Sequence, residues 1–489
     1  MKTKILLLLL VISSSLIAQW SSDVRLTNNG ALSRTSVNGQ RSIAVSGSFV
    51  HVVWCDERDG NSEIYYKRST DNGVTWGNDT RMTNNTGFSG FPSVTAIGNY
   101  VYIVWLDNAL DNNYEIYCYY STNNGTSWSS FIRLTNNSAS SEYPCVSASG
   151  SYVHVVWHDN RDGNYEIYYK RSTDNGVTWG NDTRMTNNSG ASEFPSIATL
   201  LNYVYIVWQD NTLDNNTEIY CYYSTNNGTS WSSFIRLTNN PAASERPCVS
   251  AAGNDVHVVW HDKRDGTYEE IYYKRSTNNG VNWGSDTRMT NNSAFSTFPS
   301  IVALGNYVGL VWEDNSVDNN YEIYHYFSYD RGTTWSNYVR LTNNPFSSVD
   351  PHIAAFGSGV HVVWRDDRDG NNEIYYKRNP TGTTAVQSSG TEIPGNYRLS
   401  QNYPNPFNPV TMIEFDIPKS SYVRLKVYDI LGREISRVVD QMLEAGRYTV
   451  DFDASELSSG TYFYRIEASD ASAGSGQVFR DVKKMVVVK

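Results

Sequence analysis

Short runs of alternating hydrophobic and polar residues, broken by glycine, asparagine and aspartate, make up most of the chain. The most regular run, V-x-x-V-W-x-D, occurs seven times at intervals of 51 or 52 residues. Its tryptophans are Trp54, Trp105, Trp157, Trp208, Trp260, Trp312 and Trp364. Because the alternation has a period of two and the runs are rich in β-branched and aromatic residues, they predict β-strands rather than helices.

Each repeat contains four such runs. A P-x-[IV] segment precedes the V-W-x-D run, and segments of the types E-I-Y-Y-K-R-S and W-x-x-x-x-R-[LM]-T-N-N follow it. Four-stranded units that recur at a fixed interval are typical of the blades of a β-propeller. The sequence therefore predicts an all-β fold with a seven-bladed β-propeller over residues 19–380.

The two ends of the repeat region complement each other. The seventh repeat has its third run, Glu373 to Arg378, but it lacks a fourth. The N-terminal segment WSSDVRLTNN, Trp20 to Asn29, matches the fourth run WSSFIRLTNN at Trp128 to Asn137. We therefore expect the N-terminal segment to pair as the outer strand of the last blade, which closes the ring and leaves no free sheet edge there.

Between the third and fourth runs lies the motif S-[TY]-[DN]-x-G-x-[TSN]-W, which occurs six times. On this motif the chain resembles the Asp-box, or BNR, β-propeller superfamily of the sialidase type. The aspartate and serine side chains suit bonds to nearby backbone amides, the glycine accepts a positive φ, and the tryptophan is an apolar anchor. We interpret the motif as a structural hairpin, in which the copies with aspartate contain Asp71 and Trp76, Asp174 and Trp179, and Asp330 and Trp335.

The turn between the second and third runs carries three acidic residues in every repeat. In the first three repeats they are Asp56, Asp59 and Glu63, then Asp107, Asp111 and Glu115, then Asp159, Asp162 and Glu166. In a four-strand meander this turn lies on the face opposite the Asp-box hairpins. Such loops can hold Ca²⁺, which prefers carboxylate and carbonyl oxygens, although the spacing is not that of an EF-hand. The alternative is structural: the aspartate caps the turn and the glutamate pairs with a neighbouring lysine or arginine.

The resemblance to sialidases implies three arginines on the substrate carboxylate, a tyrosine nucleophile backed by a glutamate, an aspartate acid/base and an F/Y-R-I-P motif. This chain lacks that motif, and its seven predicted blades exceed the six of sialidases. The R-D-G turns offer candidate carboxylate-binding arginines, with solvated turn residues as the alternative: Arg58, Arg161, Arg264 and Arg368. A catalytic pocket needs unlike residues in one place. The departures from the repeat are therefore candidates too, namely Arg41, Arg246, Glu313, His352 and Arg365.

The cysteines follow an alternation between two types of repeat. Position four of E-I-Y-x is Cys118 in the second repeat and Cys221 in the fourth, and the next P-x-[IV] segments contain Cys145 and Cys248, 27 residues later in both cases. We expect residues that change together between copies to touch. For an exported chain this predicts the disulfides Cys118–Cys145 and Cys221–Cys248, with Cys55 free, each contributing roughly 3 to 4 kcal/mol.

The last part of the chain has a different pattern. A Thr/Ser/Gly-rich linker, residues 381–396, precedes strand patterns in residues 397–489 that predict a small, Ig-like antiparallel β-sandwich. The phrases LSQNYPNPFNP from Leu399, VYDILGREI from Val427 and LSSGTYFYRI from Leu457 resemble the C-terminal sorting domains of type IX secretion. The resemblance implies the type IX machinery as a partner and a final location in the medium or on the cell surface.

The N-terminus and the net charge agree with export. Residues 1–18 combine Lys2 and Lys4, an apolar run from Ile5 to Ile12 and a small-residue exit, the pattern of a secretory signal peptide. No later stretch is apolar for long enough to span a bilayer, so we expect no transmembrane segment in the mature chain. The net charge of -11 argues against nucleic acid as a partner, because nucleic acid rewards a basic patch.

Two functions of different classes fit these patterns. A secreted or cell-surface propeller that binds a glycan or protein ligand accounts for the near-equivalence of the repeats. A sialidase-like exo-glycoside hydrolase accounts for the scaffold, but it requires a pocket of non-repeated residues. Calcium on the loop face is the one cofactor that the sequence suggests.

Overall fold

The computed structural model describes residues 20–37, 39–213, 216–380, 382–383, 387–388, 393–408, 410–419, 421–443, 445–454, 457–470 and 478–488. The predicted signal peptide, residues 1–18, and part of the predicted linker lie outside these ranges. The regular secondary structure of the described residues is entirely β-strand, which confirms the predicted all-β class. Within these ranges no helix has the length and apolarity to cross a membrane.

Seven antiparallel sheets follow one another up to Asn379, and their number equals that of the predicted blades. Six have four strands, whereas blade one has five because its first strand is interrupted. In chain order the strands of blades one to six are Ser33–Arg34, Ile43–Ser46, Phe49–Asp56, Glu63–Ser69 and Thr80–Arg81; Ser89–Ile97, Tyr100–Asp107, Glu115–Ser121 and Ile132–Arg133; Ser141–Ser149, Tyr152–Asp159, Glu166–Ser172 and Thr183–Arg184; Ser192–Leu200, Tyr203–Asp210, Glu218–Ser224 and Ile235–Arg236; Ser244–Ala252, Asp255–Asp262, Glu270–Ser276 and Thr287–Arg288; and Ser296–Leu304, Tyr307–Asp314, Glu322–Ser328 and Val339–Arg340. Blade seven consists of Ser348–Phe356, Gly359–Asp366, Glu373–Asn379 and the N-terminal strand Val24–Arg25.

The first strand of each blade lies on the inside of the ring. First strands of consecutive blades contact one another, and that of blade seven contacts that of blade one, so the ring closes around a central channel. At the closure Val24 pairs with Tyr376, and the Leu26 N–H donates to the Ile374 carbonyl over 2.8 Å. The predicted closure by the N-terminal strand is therefore confirmed.

The repeated tryptophans form the core between blades. Each of the seven is at most 2% exposed. Trp105 of blade two, for example, packs with Val53 and Ile64 of blade one. Because truncation of such a buried aromatic costs about 3–5 kcal/mol, this single position of the repeat stabilises the packing of the whole ring.

The Asp-box hairpins hold themselves together. The Asp71 carboxylate accepts the Thr75 N–H over 2.8 Å, and Ser69 Oγ accepts the Gly73 N–H over 2.8 Å. The ring of Trp76 packs edge-on against a tyrosine of the preceding blade, with the centroids 4.8 Å apart. These contacts agree with the structural interpretation of the motif.

The two predicted disulfides are wrong, because all five cysteines carry free thiols. Cys118 lies in the core between blades two and three. Cys145 lies in the core between blades three and four, and its Sγ donates to the Gly39 carbonyl over 3.3 Å. Cys221 and Cys248 are separated in the same way: Cys221 lies in the core between blades four and five, and Cys248 lies in the core between blades five and six.

The cysteines change together because two types of blade alternate, and not because they touch. In odd-numbered blades a histidine on the second strand forms a hydrogen bond with a tyrosine on the third strand. In blade one this bond joins His51 Nδ1 and Tyr66 Oη over 2.8 Å. In blade two the large residue is on the second strand instead: Tyr102 packs in the same cluster as the small Cys118. The compensating exchange of large and small side chains therefore lies within one blade.

The C-terminal segment folds as two four-stranded sheets that share one core. Their strands, in the order of pairing, are Gln387–Ser388, Gly446–Asp453, Val410–Ile417 and Arg398–Leu399 in the first sheet, and Glu434–Leu443, Ser421–Tyr428, Gly460–Asp470 and Val478–Val487 in the second. Ile413 and Phe415 of the first sheet are buried in one cluster with Leu425 and Ile466 of the second. This is the small β-sandwich that the alternating pattern predicts.

Candidate functional site

The aspartate that ends each second strand is bound inside its own blade. The Asp56 side chain is fully buried; its Oδ2 accepts the Trp54 Nε1–H and the Ser33 hydroxyl, each over 2.8 Å, and lies 2.6 Å from Arg58 Nη2. Among the described residues Asp107 has no arginine partner, and it caps the Ala109 N–H over 2.8 Å instead. Asp159 repeats the contacts of Asp56 through Trp157, Ser141 and Arg161.

The glutamate that opens each third strand binds the fourth strand. Glu63 Oε1 accepts the Arg81 guanidinium over 2.9 Å, and Arg81 Nε lies 3.3 Å from Asp59. The same pairing joins Glu115 and Asp111 to Arg133, and Glu166 and Asp162 to Arg184. Among the described residues no three or more His, Cys, Asp and Glu side chains are grouped to hold a metal ion. The contacts therefore favour the structural alternative, and the calcium site stays a prediction.

The arginines of the R-D-G turns are also held within the blade. Arg58 bridges Asp56 and Asp79, with 2.7 Å to the latter, and lies 4.4 Å from the centroid of the Tyr65 ring. Arg161, Arg264 and Arg368 make the equivalent bridges and stacking contacts. Because each guanidinium already binds two carboxylates, these four arginines have little capacity left for a substrate carboxylate.

The residues that differ between blades meet at one end of the central channel. In blades two to seven the residue before the proline of the first strand has a positive φ of 49–59°, at a point where the register of the strand shifts. We call these six residues the mouth residues: Phe91, Tyr143, Phe194, Arg246, Phe298 and Asp350. The first five contact side chains of neighbouring blades, and the Asp350 side chain pairs with Arg365 of its own blade. The repeated scaffold thus presents a non-repeated surface, the channel mouth.

Three aromatic mouth residues form a continuous arc across blades two, three and four. The ring centroids of Phe91 and Tyr143 are 4.6 Å apart, and those of Tyr143 and Phe194 are 5.0 Å apart. His158 packs behind the arc, where its Nδ1 accepts the Phe194 N–H over 3.3 Å. Burial raises the pKa of the Tyr143 phenol, so this ring is neutral at pH 7.

Arg246 continues the arc into blade five. Its guanidinium carbon lies 3.6 Å from the centroid of the Phe194 ring. Its backbone N–H donates to Gln209 over 3.0 Å, whereas the described residues place no carboxylate within ion-pair distance of its guanidinium. Burial lowers the pKa of Arg246. The mouth therefore contains a partly desolvated guanidinium that has no carboxylate partner among the described residues.

On the other side of the mouth two carboxyl groups are buried together. The Asp350 N–H donates to Glu313 Oε2 over 2.7 Å, and the Thr297 hydroxyl donates to Glu313 Oε1 over 3.1 Å. Asp350 is paired with Arg365 at 2.9 Å. Burial and the neighbouring carboxyl of Asp350 raise the pKa of Glu313 to about 8. Because Asp350 has the arginine as its counter-ion, Glu313 is the member of the pair that holds a proton at neutral pH.

Below the mouth the channel is filled by the segment that interrupts the first strand of blade one. We call residues 35–41 the plug; residue 38 lies outside the described ranges. The Thr35 hydroxyl donates to the carbonyl of Asp350 over 3.1 Å, and His352 Nε2 bonds the carbonyl of Ser36 over 2.8 Å. Both partners belong to blade seven, beside the blade from which the plug comes.

The plug also reaches the far side of the channel. The Gly39 carbonyl accepts Cys145 Sγ of blade three and Ser196 Oγ of blade four. A Cβ atom on Gly39 would lie 2.8 Å from both the Pro247 carbonyl and Ser196 Cβ, so only glycine fits this crossing. Arg41 donates to the carbonyl of Val249 in blade five over 2.9 Å. A small cavity lined by Ser36, Val37, Gly39, Arg246, Asp350 and His352 lies where the plug meets the mouth.

Sequence reasoning named some of these residues and missed others. The departures Arg246, Arg365 and Glu313 do meet at the mouth, and His352 holds the plug. The aromatic arc and Asp350 were missed because these residues precede the proline and so lie just outside the P-x-[IV] segment that repeats. The plug had a visible signal: Ser42 lies nine positions after Ser33, whereas Ser93 lies four positions after Ser89.

Two family descriptions match the sequence. Residues 11–258 match the "BNR repeat-like domain", and residues 401–478 match the "Secretion system C-terminal sorting domain". No curated protein matches the chain.

Solved structures share the fold at low sequence identity. A polysaccharide lyase of family PL25, an ulvan lyase, is 12% identical with a TM-score of 0.51, over 72% of this chain and 95% of that one. The polysaccharide lyase Uly1 is 9% identical with a TM-score of 0.50, over 74% and 99%. A variant of the Trypanosoma rangeli sialidase is 10% identical with a TM-score of 0.44, over 94% and 88%.

Proposed function

Because the chain belongs to the BNR repeat-like domain family, and because its sorting domain indicates export by type IX secretion to the medium or the cell surface, we propose that it is an exported propeller that binds a glycan at the channel mouth. Proteins are the alternative class of ligand. The observation that carries the proposal is the gathering of unlike side chains at one end of a scaffold whose blades otherwise repeat.

The chemistry of the mouth suits a sugar. Sugar rings offer apolar C–H faces that pack on aromatic rings, and the arc of Phe91, Tyr143 and Phe194 supplies three such rings in contact. Arg246 adds hydrogen-bond donors beside the arc, and Gln209 accepts its backbone N–H. A few polar groups among aromatic side chains are typical of small-ligand sites.

We expect the variants Tyr143→Ala and Arg246→Ala to weaken glycan binding by about tenfold or more each, because each removes a stacking surface or a charged donor. Glycan-array screening of the purified mature protein identifies the ligand, and isothermal titration of that ligand measures the two variants.

The matched control is Phe131→Ala. Phe131 is an aromatic residue that is 54% exposed next to the outer strand of blade two, away from the channel, and its loss should leave the affinity unchanged. Equal affinities for wild type and Arg246→Ala would refute the placement of the ligand at the mouth. A protein partner captured without any glycan signal would move the proposal to the alternative class.

A glycoside hydrolase of the sialidase type is the second candidate, and the buried acid pair favours it. Most glycosidases use two carboxyl groups, whereas sialidases combine a tyrosine nucleophile with one carboxylic acid; in both cases the acid must be protonated to donate to the leaving group. Glu313, with its pKa raised to about 8 by burial and by Asp350, meets that requirement at neutral pH. Arg365 pairs with Asp350, so the mouth does not offer three free arginines to a sialic-acid carboxylate.

If the protein is a hydrolase, we expect release of 4-methylumbelliferone from its sialoside or from another glycoside in a panel, and Glu313→Gln should lower this rate by about 100-fold or more. The rate should fall as the pH rises past about 8, because Glu313 then loses its proton. Assays with and without EDTA also test the calcium hypothesis, since removal of calcium from the acidic loops would lower the thermal stability or the activity. Absence of turnover on every glycoside would leave the binding function alone.

A further inference from the structure

A rigid pair of exposed apolar residues stands at one hairpin tip of the C-terminal sandwich. The tip joins the strands Ser421–Tyr428 and Glu434–Leu443. Its two central residues, Ile430 and Leu431, are 71% and 73% exposed. Turn positions usually carry glycine, asparagine, aspartate or serine, so two adjacent large aliphatic side chains in water are unusual there.

The fold does not need these two side chains. The turn is held by Asp429, whose Oδ1 accepts the N–H groups of Leu431 and Arg433 over 2.9 and 3.0 Å. Asp429 Oδ2 also accepts Arg433 Nε over 2.6 Å. The buried cluster of the sandwich includes residues of both flanking strands but neither Ile430 nor Leu431. The polar residues therefore fix the backbone, and the apolar pair is presented outward in one fixed arrangement.

We propose that the Ile430–Leu431 tip is the contact by which the sorting domain docks into an apolar groove on the type IX secretion machinery. The domain matches a family whose described role is sorting by a secretion system, so a component of that system must bind its surface. A preformed turn loses little conformational entropy on binding, and insertion of both side chains removes their apolar surface from water. The proposal does not depend on what the propeller binds.

The test uses the full chain, expressed in a bacterium that has type IX secretion. In the double variant Ile430→Ser/Leu431→Ser the ratio of exported to periplasmic protein should fall by about tenfold or more, because burial of two aliphatic side chains is lost. Its unfolding midpoint should equal that of wild type, since neither residue is part of the buried core. Export of this variant at the wild-type ratio would overturn the proposal.

Two further variants separate docking from general loss of surface hydrophobicity. Val478→Ser/Val482→Ser changes two apolar residues of the same domain that are 40% and 49% exposed, and its export should remain normal. Asp429→Ala keeps the apolar pair but removes the bonds that fix the turn, and its export should fall partway. If both double variants lost export equally, or if Ile430→Ser/Leu431→Ser only changed the oligomeric state of the purified protein, the tip would not be the docking contact.

Discussion

Removal of residues 20–29 is expected to lower the unfolding midpoint by about 7 °C or more, because blade seven loses its outer strand and the free-energy loss is about 5 kcal/mol or more. Leu26, which is 3% exposed, leaves the core at the closure. The deletion also removes Arg25, whose guanidinium donates a hydrogen bond to Glu373 over 2.8 Å. The buried glutamate thereby loses this cationic partner. Thermal unfolding followed by circular dichroism, together with limited proteolysis of the last blade, measures the effect.

The stability lost in this deletion can be restored by supplying the missing strand as a peptide. A synthetic peptide of residues 20–29, added in excess, should restore part of the lost midpoint, because binding to the folded state stabilises it by mass action. The closing strand would be dispensable for the ring if the truncated chain unfolded at the wild-type temperature.

Deletion of residues 37–41 is expected to open the central channel and to expose a thiol that the plug protects. The deletion restores in blade one the four-residue spacing of the other blades. Cys145 is fully buried and bonded to Gly39, and burial raises the pKa of its thiol. Burial and the raised pKa both suppress alkylation of Cys145 in the wild type. The deletion should therefore raise the alkylation rate of Cys145 by about 100-fold or more. Mass spectrometry of the iodoacetamide-treated protein locates the modified residue.

Cys118 and Cys221 are internal controls, because both lie in cores between blades that the plug does not enter. The measurement is made in a Cys55→Ser background, since Cys55 is partly exposed. Should the deletion prevent folding, Gly39→Ala is the milder variant, because its Cβ meets backbone and side-chain atoms at 2.8 Å. An unreactive Cys145 in both variants would show that the plug does not seal the channel.

The parts of the fold that repeat could be predicted from the sequence, and the reason is physical. Each Trp of the V-W-x-D run fills the same place between two blades, so its period reports the ring directly. The closing strand could be predicted because Trp20 to Asn29 copies the fourth run of other blades. The same dependence on copies explains why the disulfide prediction is wrong: Cys118 and Cys145 change together as members of alternating blade types, and co-variation between copies does not require contact.

The candidate site was harder because its residues act through contacts that no local pattern records. Arg246 and Glu313 could be named as departures from the repeat, but their partners could not. Asp350 and Phe194 occupy the same pre-proline position, yet one completes an acid pair and the other stacks under a guanidinium. Which of these roles a residue takes is decided by the neighbouring blade and by the plug.

The closing strand has a consequence for the timing of export. Arg25 and its partner Glu373 are separated by 348 residues, so the first strand of the propeller to be made waits for the last one. At a synthesis rate of about 5–20 residues per second the wait is roughly 20–70 s. Throughout that interval the strand has no partner and the ring cannot close. In a chain that crosses the inner membrane with its N-terminus first, the ring thus stays open until the strand Glu373–Asn379 has passed.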